Sequence, residues 1–374
     1  MNKDLTDIAK WADQWLMKFD AQKTALVTFS SKQNKFRYPP LNFRNIVLHE
    51  SDSHKHLGVT LSQNLSWKKH ITSVASRGRK QLGILQTLKY RVPRNTLINL
   101  YNSFVRSHLE YASVVWDGCS LSESIQIEQV QYNAGLICTG GMKGSSGTLV
   151  REELQWSPLS HRRTFHKLVQ FWKIKNNNAP EYLRSILPEN TERPYQTRLK
   201  IQRMPQHDNI HTNRYLGSFF PSVITEWNKI PIPIREAATV HTFKSHIKKL
   251  YCNIPKSCNY NVGFRRANVL HTRFRLKFTQ LNLDLFSRNI IHSPLCIVCN
   301  MTESYGHYFL DCGRFNNERA IMLVDINQII DFNNRSKKVK LHTLLFGSNE
   351  LNHNENSRLF EIVQTFIVQT KRFS

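Results

Sequence analysis

Apolar residues recur at helical spacing from the start of the chain: Leu5, Ile8, Ala12, Trp15, Leu16 and Phe19 would share one face of a helix over residues 4–19. Asp20-Ala-Gln then reads as a turn. Thr24-Ala-Leu-Val-Thr-Phe-Ser has the β-branched and aromatic content of a strand, as do Ile46-Val-Leu-His and His56-Leu-Gly-Val-Thr-Leu. From Trp67 the pattern changes to long helices, predicted over 67–90, 94–117 and 121–138, with Pro93 and Asn95 near one start and Asp117-Gly118 near one stop. The run Thr139-Gly-Gly-Met-Lys-Gly-Ser-Ser-Gly has loop composition and reads as a linker to a second helical stretch, 148–187. Residues 188–218, rich in Pro, Asn, Arg, His and Thr, read as an extended basic connector, and helices resume over 221–229, 239–252 and 265–287. The fold class expected is mainly α, with a small antiparallel β element near the N-terminus. Four parts follow: 1–66, 67–140, 148–252 and 265–374.

Length and charge narrow the partner. A chain of 374 residues can bury two or three cores. Lys and Arg number 52 against 27 Asp and Glu, a net charge of +25 spread along the whole chain, which points to RNA or DNA. No apolar run approaches the ~20 residues of a membrane span. The start, Met-Asn-Lys-Asp-Leu-Thr-Asp-Ile-Ala-Lys, is no signal peptide, so an intracellular protein of nucleus or cytoplasm is expected. Cysteines number seven, an odd count that fits reduced thiols better than a disulfide framework; Cys119, Cys138, Cys252 and Cys258 are scattered. The pattern says nothing of oligomeric state.

The other three cysteines carry the strongest chemical signal. Cys296, Cys299, His307 and Cys312 are spaced C-x2-C-x7-H-x4-C. Three sulfurs and an imidazole fill a tetrahedral zinc shell and leave no place for water, so the expected Zn2+ is structural and the segment a small zinc knuckle. Tyr305, Tyr308 and Phe309 beside it, with Arg314 and Arg319 just beyond, have the chemistry of base stacking and phosphate pairing, although Tyr308 and Phe309 equally suit the knuckle's own core. Lys68, Lys69, His70, Arg77, Arg79 and Lys80 on the first long helix can track a phosphate backbone. There is no G-x-S-x-G turn and no glycine-rich phosphate loop.

The knuckle, with Glu303 four residues before His307 and then Phe315 and Arg319, resembles the C-terminal region of the polyproteins of jockey-like and LINE-like non-LTR retrotransposons. Trp11-Ala-Asp-Gln-Trp-Leu-Met-Lys-Phe-Asp-Ala-Gln-Lys-Thr, His54-Lys-His-Leu-Gly-Val-Thr-Leu and Leu65-Ser-Trp-Lys-Lys-His-Ile resemble the family's segments after its catalytic Asp-Asp pair. Leu109-Glu-Tyr-Ala-Ser-Val-Val-Trp-Asp, Leu159-Ser-His-Arg-Arg and Phe220-Pro-Ser-Val-Ile-Thr-Glu-Trp-Asn continue the likeness in order. The resemblance implies an RNA-directed DNA polymerase, with residues 1–66 as the end of its palm and primer grip, 67–140 as a thumb-like bundle, and 148–252 as a helical and basic connector. It implies His56, Leu57 and Gly58 at the primer grip, where Gly58 either allows a strand close approach or marks a bulge. Lys23 is the candidate remnant of a polymerase general acid, or simply a solvated lysine. The chain holds no Asp-Asp dipeptide, so the Mg2+ of nucleotidyl transfer is expected only where the rest of the palm is present. The fingers and most of the palm are expected to be absent. A nucleic-acid-binding fragment without catalysis is therefore the first reading; the alternatives are a truncated version of an active reverse transcriptase and a zinc-stabilised scaffold for protein contacts.

Overall fold

Positive backbone angles punctuate the N-terminal part more than its apolar pattern suggests. The computed structural model describes residues 1–20, 24–30, 39–44, 46–188, 212–252 and 260–373. Helix α1 (Asn2–Gln14) stops short of the expected end, because Leu16 takes φ 55° and leaves helical geometry. Strands β1 (Asn42–Phe43) and β2 (Ile46–Val47) pair antiparallel, as do β3 (Ser53–His56) and β4 (Val59–Ser62). The stretch 56–61 is thus two strands rather than one. Leu57 and Gly58, at φ 45° and 85°, form the two-residue turn that matches the twist of a hairpin, so Gly58 marks a turn and not a bulge. The expected strand over 24–30 makes only a bridge from Leu26 to Glu50. Lys23 lies outside the described residues.

The bundle begins with α2 (Lys68–Leu88), which buries Ile71, Val74, Ala75, Leu82 and Leu85. Gly78 lets two partners close in: a Cβ there would stand 3.0 Å from Leu109 and 3.1 Å from Val130. The helix expected over 94–117 is interrupted. It runs as α3 (Arg94–Leu100), a π-helical turn (Tyr101–Arg106) and α4 (Ser107–Glu110), then breaks at Ala112, φ 50°, before α5 (Ser113–Trp116). Helix α6 (Leu121–Thr139) starts at a capping box in which Ser120 and Glu123 satisfy each other's backbone N–H.

The run 139–147 does not separate two bodies. Val150, Leu154, Trp156 and Leu159 share one apolar core with Ile71, Leu97, Tyr101 and Val130, so α7 (Gly147–Leu154) belongs to the bundle. Gly140 and Gly141 are buried, and Val269 packs so close to Gly140 that an added Cβ would meet it at 2.5 Å. These glycines serve close packing, which composition cannot tell from linker flexibility.

A second core joins α8 (Leu159–Lys175), α11 (Phe219–Lys229) and α13 (Val240–Cys252) through Leu168, Phe171, Trp172, Val223, Trp227, Phe243 and Ile247. The short helices α9 (Glu181–Arg184), α10 (Asn213–Leu216) and α12 (Ile232–Arg235) flank it. Most of the expected connector, 189–211, lies outside the described residues. The third core holds α14 (Arg265–Arg275), α15 (Asn282–Phe286), the cysteine segment, α16 (Asn316–Asn327), α17 (Lys337–Phe346) and α18 (His353–Gln369). The helix expected over 265–287 breaks at Lys277, φ 52°. No described helix is long and apolar enough to cross a membrane.

The first and third cores are pinned by a buried carboxylate. Glu153 accepts from Arg94 at 2.8 Å and from Arg275 at 2.9 Å through both oxygens. Burial alone would raise its pKa, but the two guanidiniums outweigh burial and hold it at about 2.

Candidate metal centre

Two turns bring the four expected ligands together. After Cys296 the chain folds back through Asn300, whose N–H donates to the Cys296 carbonyl at 2.9 Å and whose φ is 53°, so Cys299 faces the same point as Cys296. His307 then opens a π-helical turn (His307–Asp311) that delivers Cys312 from the opposite side. The four ligand atoms lie within 4.8 Å of one another. Cys312 Sγ is 3.9 Å from Cys296 Sγ and 3.7 Å from Cys299 Sγ. Two sulfurs bound at ~2.3 Å to a tetrahedral zinc stand about 3.8 Å apart, whereas a disulfide needs ~2.05 Å.

The histidine adds an independent sign. Both ring nitrogens of His307 are buried without a hydrogen-bond partner, a rare state for a polar group unless a metal ion takes one of them. Among the thiols, burial would raise Cys296, but hydrogen bonds bring it below the ordinary value. The Gly313 N–H lowers Cys299, and burial pushes Cys312 up to about 12. Three thiolates so close repel one another; a bound dication is what allows all three to ionise. The donor set therefore fits a closed, four-ligand site.

The shell around these ligands differs from the one expected. Tyr308 is 0% exposed, stacked on Phe274 at 5.3 Å and bonded through its hydroxyl to Thr370 at 2.7 Å. Arg319 is buried as well: its guanidinium donates to the carbonyls of Phe309 at 2.9 Å, Cys312 at 2.7 Å and Tyr308 at 3.4 Å. Both residues are thereby corrected from nucleic-acid contacts to interior supports, because a single helical turn leaves carbonyls at its end that a donor must satisfy. Tyr305 is half-buried and donates its hydroxyl to Asp284 at 2.8 Å; burial first, and then that carboxylate, push its pKa up. Arg314 remains exposed, lying over the Phe315 ring at 5.4 Å.

Sequence reasoning missed the clamp that fixes this segment to the rest of the core. Glu303 is buried, accepts from the Asn282 N–H at 2.7 Å and takes both guanidinium nitrogens of Arg372 at 2.8 and 2.7 Å. Nothing in the local pattern around Arg372 signals a partner 69 residues away.

The other expected contacts lie on the hairpin and α2. His56, Leu57 and Gly58 form the exposed tip of β3–β4, Leu57 being 78% exposed, and Tyr111 supports the tip by donating to the Leu57 carbonyl at 2.9 Å. Lys68, Lys69, Arg77, Arg79 and Lys80 are all exposed; Lys69 reaches Asp52 at 2.5 Å. His70 is not on this face. It is buried, accepts from the Thr60 N–H at 3.3 Å, and burial followed by His108 and Lys55 lowers its pKa, so it ties the hairpin to α2 as a neutral ring.

Three curated proteins are similar to this chain in sequence. The chain is 30% identical over 127 residues to the RNA-directed DNA polymerase from mobile element jockey of Drosophila melanogaster, covering 33% of this chain and 13% of the relative. It is 22% identical over 205 residues to the probable RNA-directed DNA polymerase from transposon X-element of the same organism, covering 53% and 22%. This chain resembles the jockey-like reverse transcriptases. A third relative, the probable RNA-directed DNA polymerase from transposon BS of Drosophila melanogaster, is 23% identical over 168 residues, covering 43% and 18%. The chain thus spans between 13% and 22% of the length of these relatives. No protein-family model and no solved structure matches it.

Three segments that carry the resemblance to jockey-like proteins meet in one ion network. Arg163 and Lys167 of α8 bond Asp117 at 3.0 and 2.5 Å, Lys167 reaches Ser222 of α11 at 3.3 Å, and Arg162 grips Glu110 through two nitrogens. Their shared chemistry joins the first core to the second.

Proposed function

We propose that this chain is the nucleic-acid-holding, C-terminal part of a retrotransposon RNA-directed DNA polymerase, and that it binds RNA or the primer–template without carrying the nucleotidyl-transfer carboxylates. The observation that carries this reading is unpaired charge. Lys68, Arg77, Arg79 and Lys80 are exposed with no acidic partner among the described residues, on a chain of net charge +25. Such cations displace counterions from phosphates, so binding is expected to be strong at low salt and independent of sequence. Zn2+, held by Cys296, Cys299, His307 and Cys312, supplies a structural cross-link; those residues order the segment and present Arg314. Residues 56–58 would approach the nucleic acid from the hairpin tip.

Fluorescence anisotropy of the purified chain with a labelled single-stranded RNA tests this reading. Affinity should fall by roughly three-hundredfold between about 50 and about 200 mM salt if about six phosphates are engaged. No binding at the lower salt would overturn it.

A second reading, a scaffold for protein contacts, has one observation in its favour. The tip of the cysteine turn is apolar and open to solvent, with Ile297 94% and Val298 62% exposed. On that reading Ile297→Asp would abolish partner binding and leave RNA affinity unchanged.

A further inference from the structure

Helix α13 has the sequence Val-His-Thr-Phe-Lys-Ser-His-Ile-Lys-Lys-Leu-Tyr-Cys, with three lysines and no acidic residue. Phe243 and Ile247 face the second core at 0% exposure, while Lys244, Lys248 and Lys249 stand in solvent. Lys244 is near enough to His166 of α8 for its charge to act on that ring. His166, whose Nδ1 is 3.3 Å from Ser113 Oγ, feels burial first and then the charges of Glu110, Arg162, Arg106 and Lys244. At the end of α13, Cys252 likewise senses Arg162, Glu110 and Lys248. Its carbonyl accepts from Ser157 at 3.0 Å just before α8 begins. Three elements therefore converge: the π-helical turn with α4, the first turn of α8, and the exposed edge of α13.

Charge at this junction does not balance. Glu110 is the carboxylate in reach, and Arg162 occupies both of its oxygens. Arg106, the last residue of the π-helical turn that precedes α4, makes no ion pair among the described residues, is half-buried and feels the charge of Arg162. Lys244 and Lys248 make none either. Arg106, Lys244 and Lys248 thus add three unpaired cations beside the one that Glu110 neutralises, and a phosphate group offers them the missing negative charge while accepting from the Arg106 guanidinium.

We propose that this junction is a phosphate-binding site for a nucleic-acid strand, formed by Arg106, Arg162, Lys244 and Lys248. It rests on the nucleic-acid reading above and adds a second contact surface, outside α2 and the cysteine segment. A polymer fits better than a single phosphate, because Lys244 and Lys248 stand one turn apart, ~6 Å along the helix axis, and Lys249 prolongs the charge into a stripe.

The test uses the full chain, labelled single-stranded RNA and two double variants at exposed positions, K244Q/K248Q on α13 and K68Q/K80Q on α2, with helical circular dichroism confirming that each stays folded. Each phosphate contact removed should lower the slope of log affinity against log salt by ~0.7, so K244Q/K248Q should lose about 1.4. If K244Q/K248Q keeps the wild-type slope while K68Q/K80Q loses it, the junction proposal is overturned and the nucleic-acid reading stands. If the wild-type chain does not bind RNA at low salt, the broader reading fails and this proposal with it.

Discussion

Arginines flank the cysteine segment at 314 and 319 and line helix α2 at 77 and 79, yet the fold uses them in opposite ways. Around the cysteines the backbone runs in turns, and Arg319 is drawn inward to satisfy the carbonyls of Tyr308, Phe309 and Cys312. On α2 the carbonyls are satisfied within the helix, so Arg77, Arg79 and Lys80 have nothing to attend to and remain in water. An arginine beside irregular backbone is thus a structural donor first. An arginine on the polar face of a regular helix stays available for a partner.

The largest test of this contrast removes the proposed metal ligand at the end of the cysteine segment. Cys312→Ser is expected to abolish stoichiometric Zn2+ and to loosen the third core, since zinc-linked folding in small metal modules amounts to roughly 10 kcal/mol. Metal analysis and limited proteolysis of residues 260–373 check it. The first core, which among the described residues draws a single buried apolar side chain, Leu276, from that region, should keep its helical signal. Equal loss of both cores would show that the two regions are not separable in the way the contrast requires.

Next in size is the carboxylate that joins them. Glu153→Gln leaves Arg94 and Arg275 buried without a counter-charge and should cost roughly 3–5 kcal/mol. The pH dependence has a definite sign. The folded carboxyl is held at about 2 against an ordinary 4.5, so its stabilisation is complete above 4.5 and is lost as pH falls toward 2. Melting temperature should therefore drop more steeply over that interval in the wild type than in Glu153→Gln. Parallel curves would sink the assignment.

How much of this was legible beforehand follows from what each signal encodes. That Cys296, Cys299, His307 and Cys312 come together was legible, because residue types at such short spacing can be gathered by local turns alone. The ends of α2 and the start of α6 were close to expectation because periodicity and capping are local too. Leu57 in a positive-φ turn was not legible, since a leucine there contradicts its own preference and is held by the hairpin and Tyr111. Within the helical stretch expected over 148–187, nothing in the local sequence singled out Glu153 as buried. Its partners come from 59 and 122 residues away, a distance over which composition carries no information.

Arg319→Ala comes next: it strands three carbonyls, and each buried acceptor left without a donor costs about 1–3 kcal/mol, so a loss of roughly 3 kcal/mol or more is expected in chemical denaturation. Its counterpart on α2 gives the smallest effect and the sharpest comparison. Arg79 is exposed, makes no ion pair among the described residues and sits on a helix that needs no help with its carbonyls. Arg79→Ala should change stability by no more than about 0.5 kcal/mol, because alanine is at least as good a helix former and nothing buried is disturbed. The same change should lower the salt slope of RNA binding by ~0.7, one phosphate contact. Arg319→Ala should leave that slope unaltered under conditions where the variant remains folded, since its guanidinium faces backbone rather than solvent. If Arg79→Ala were destabilising or Arg319→Ala lowered the slope, the division between inward and outward arginines would fail, and with it the reason for assigning the nucleic-acid surface to the helices.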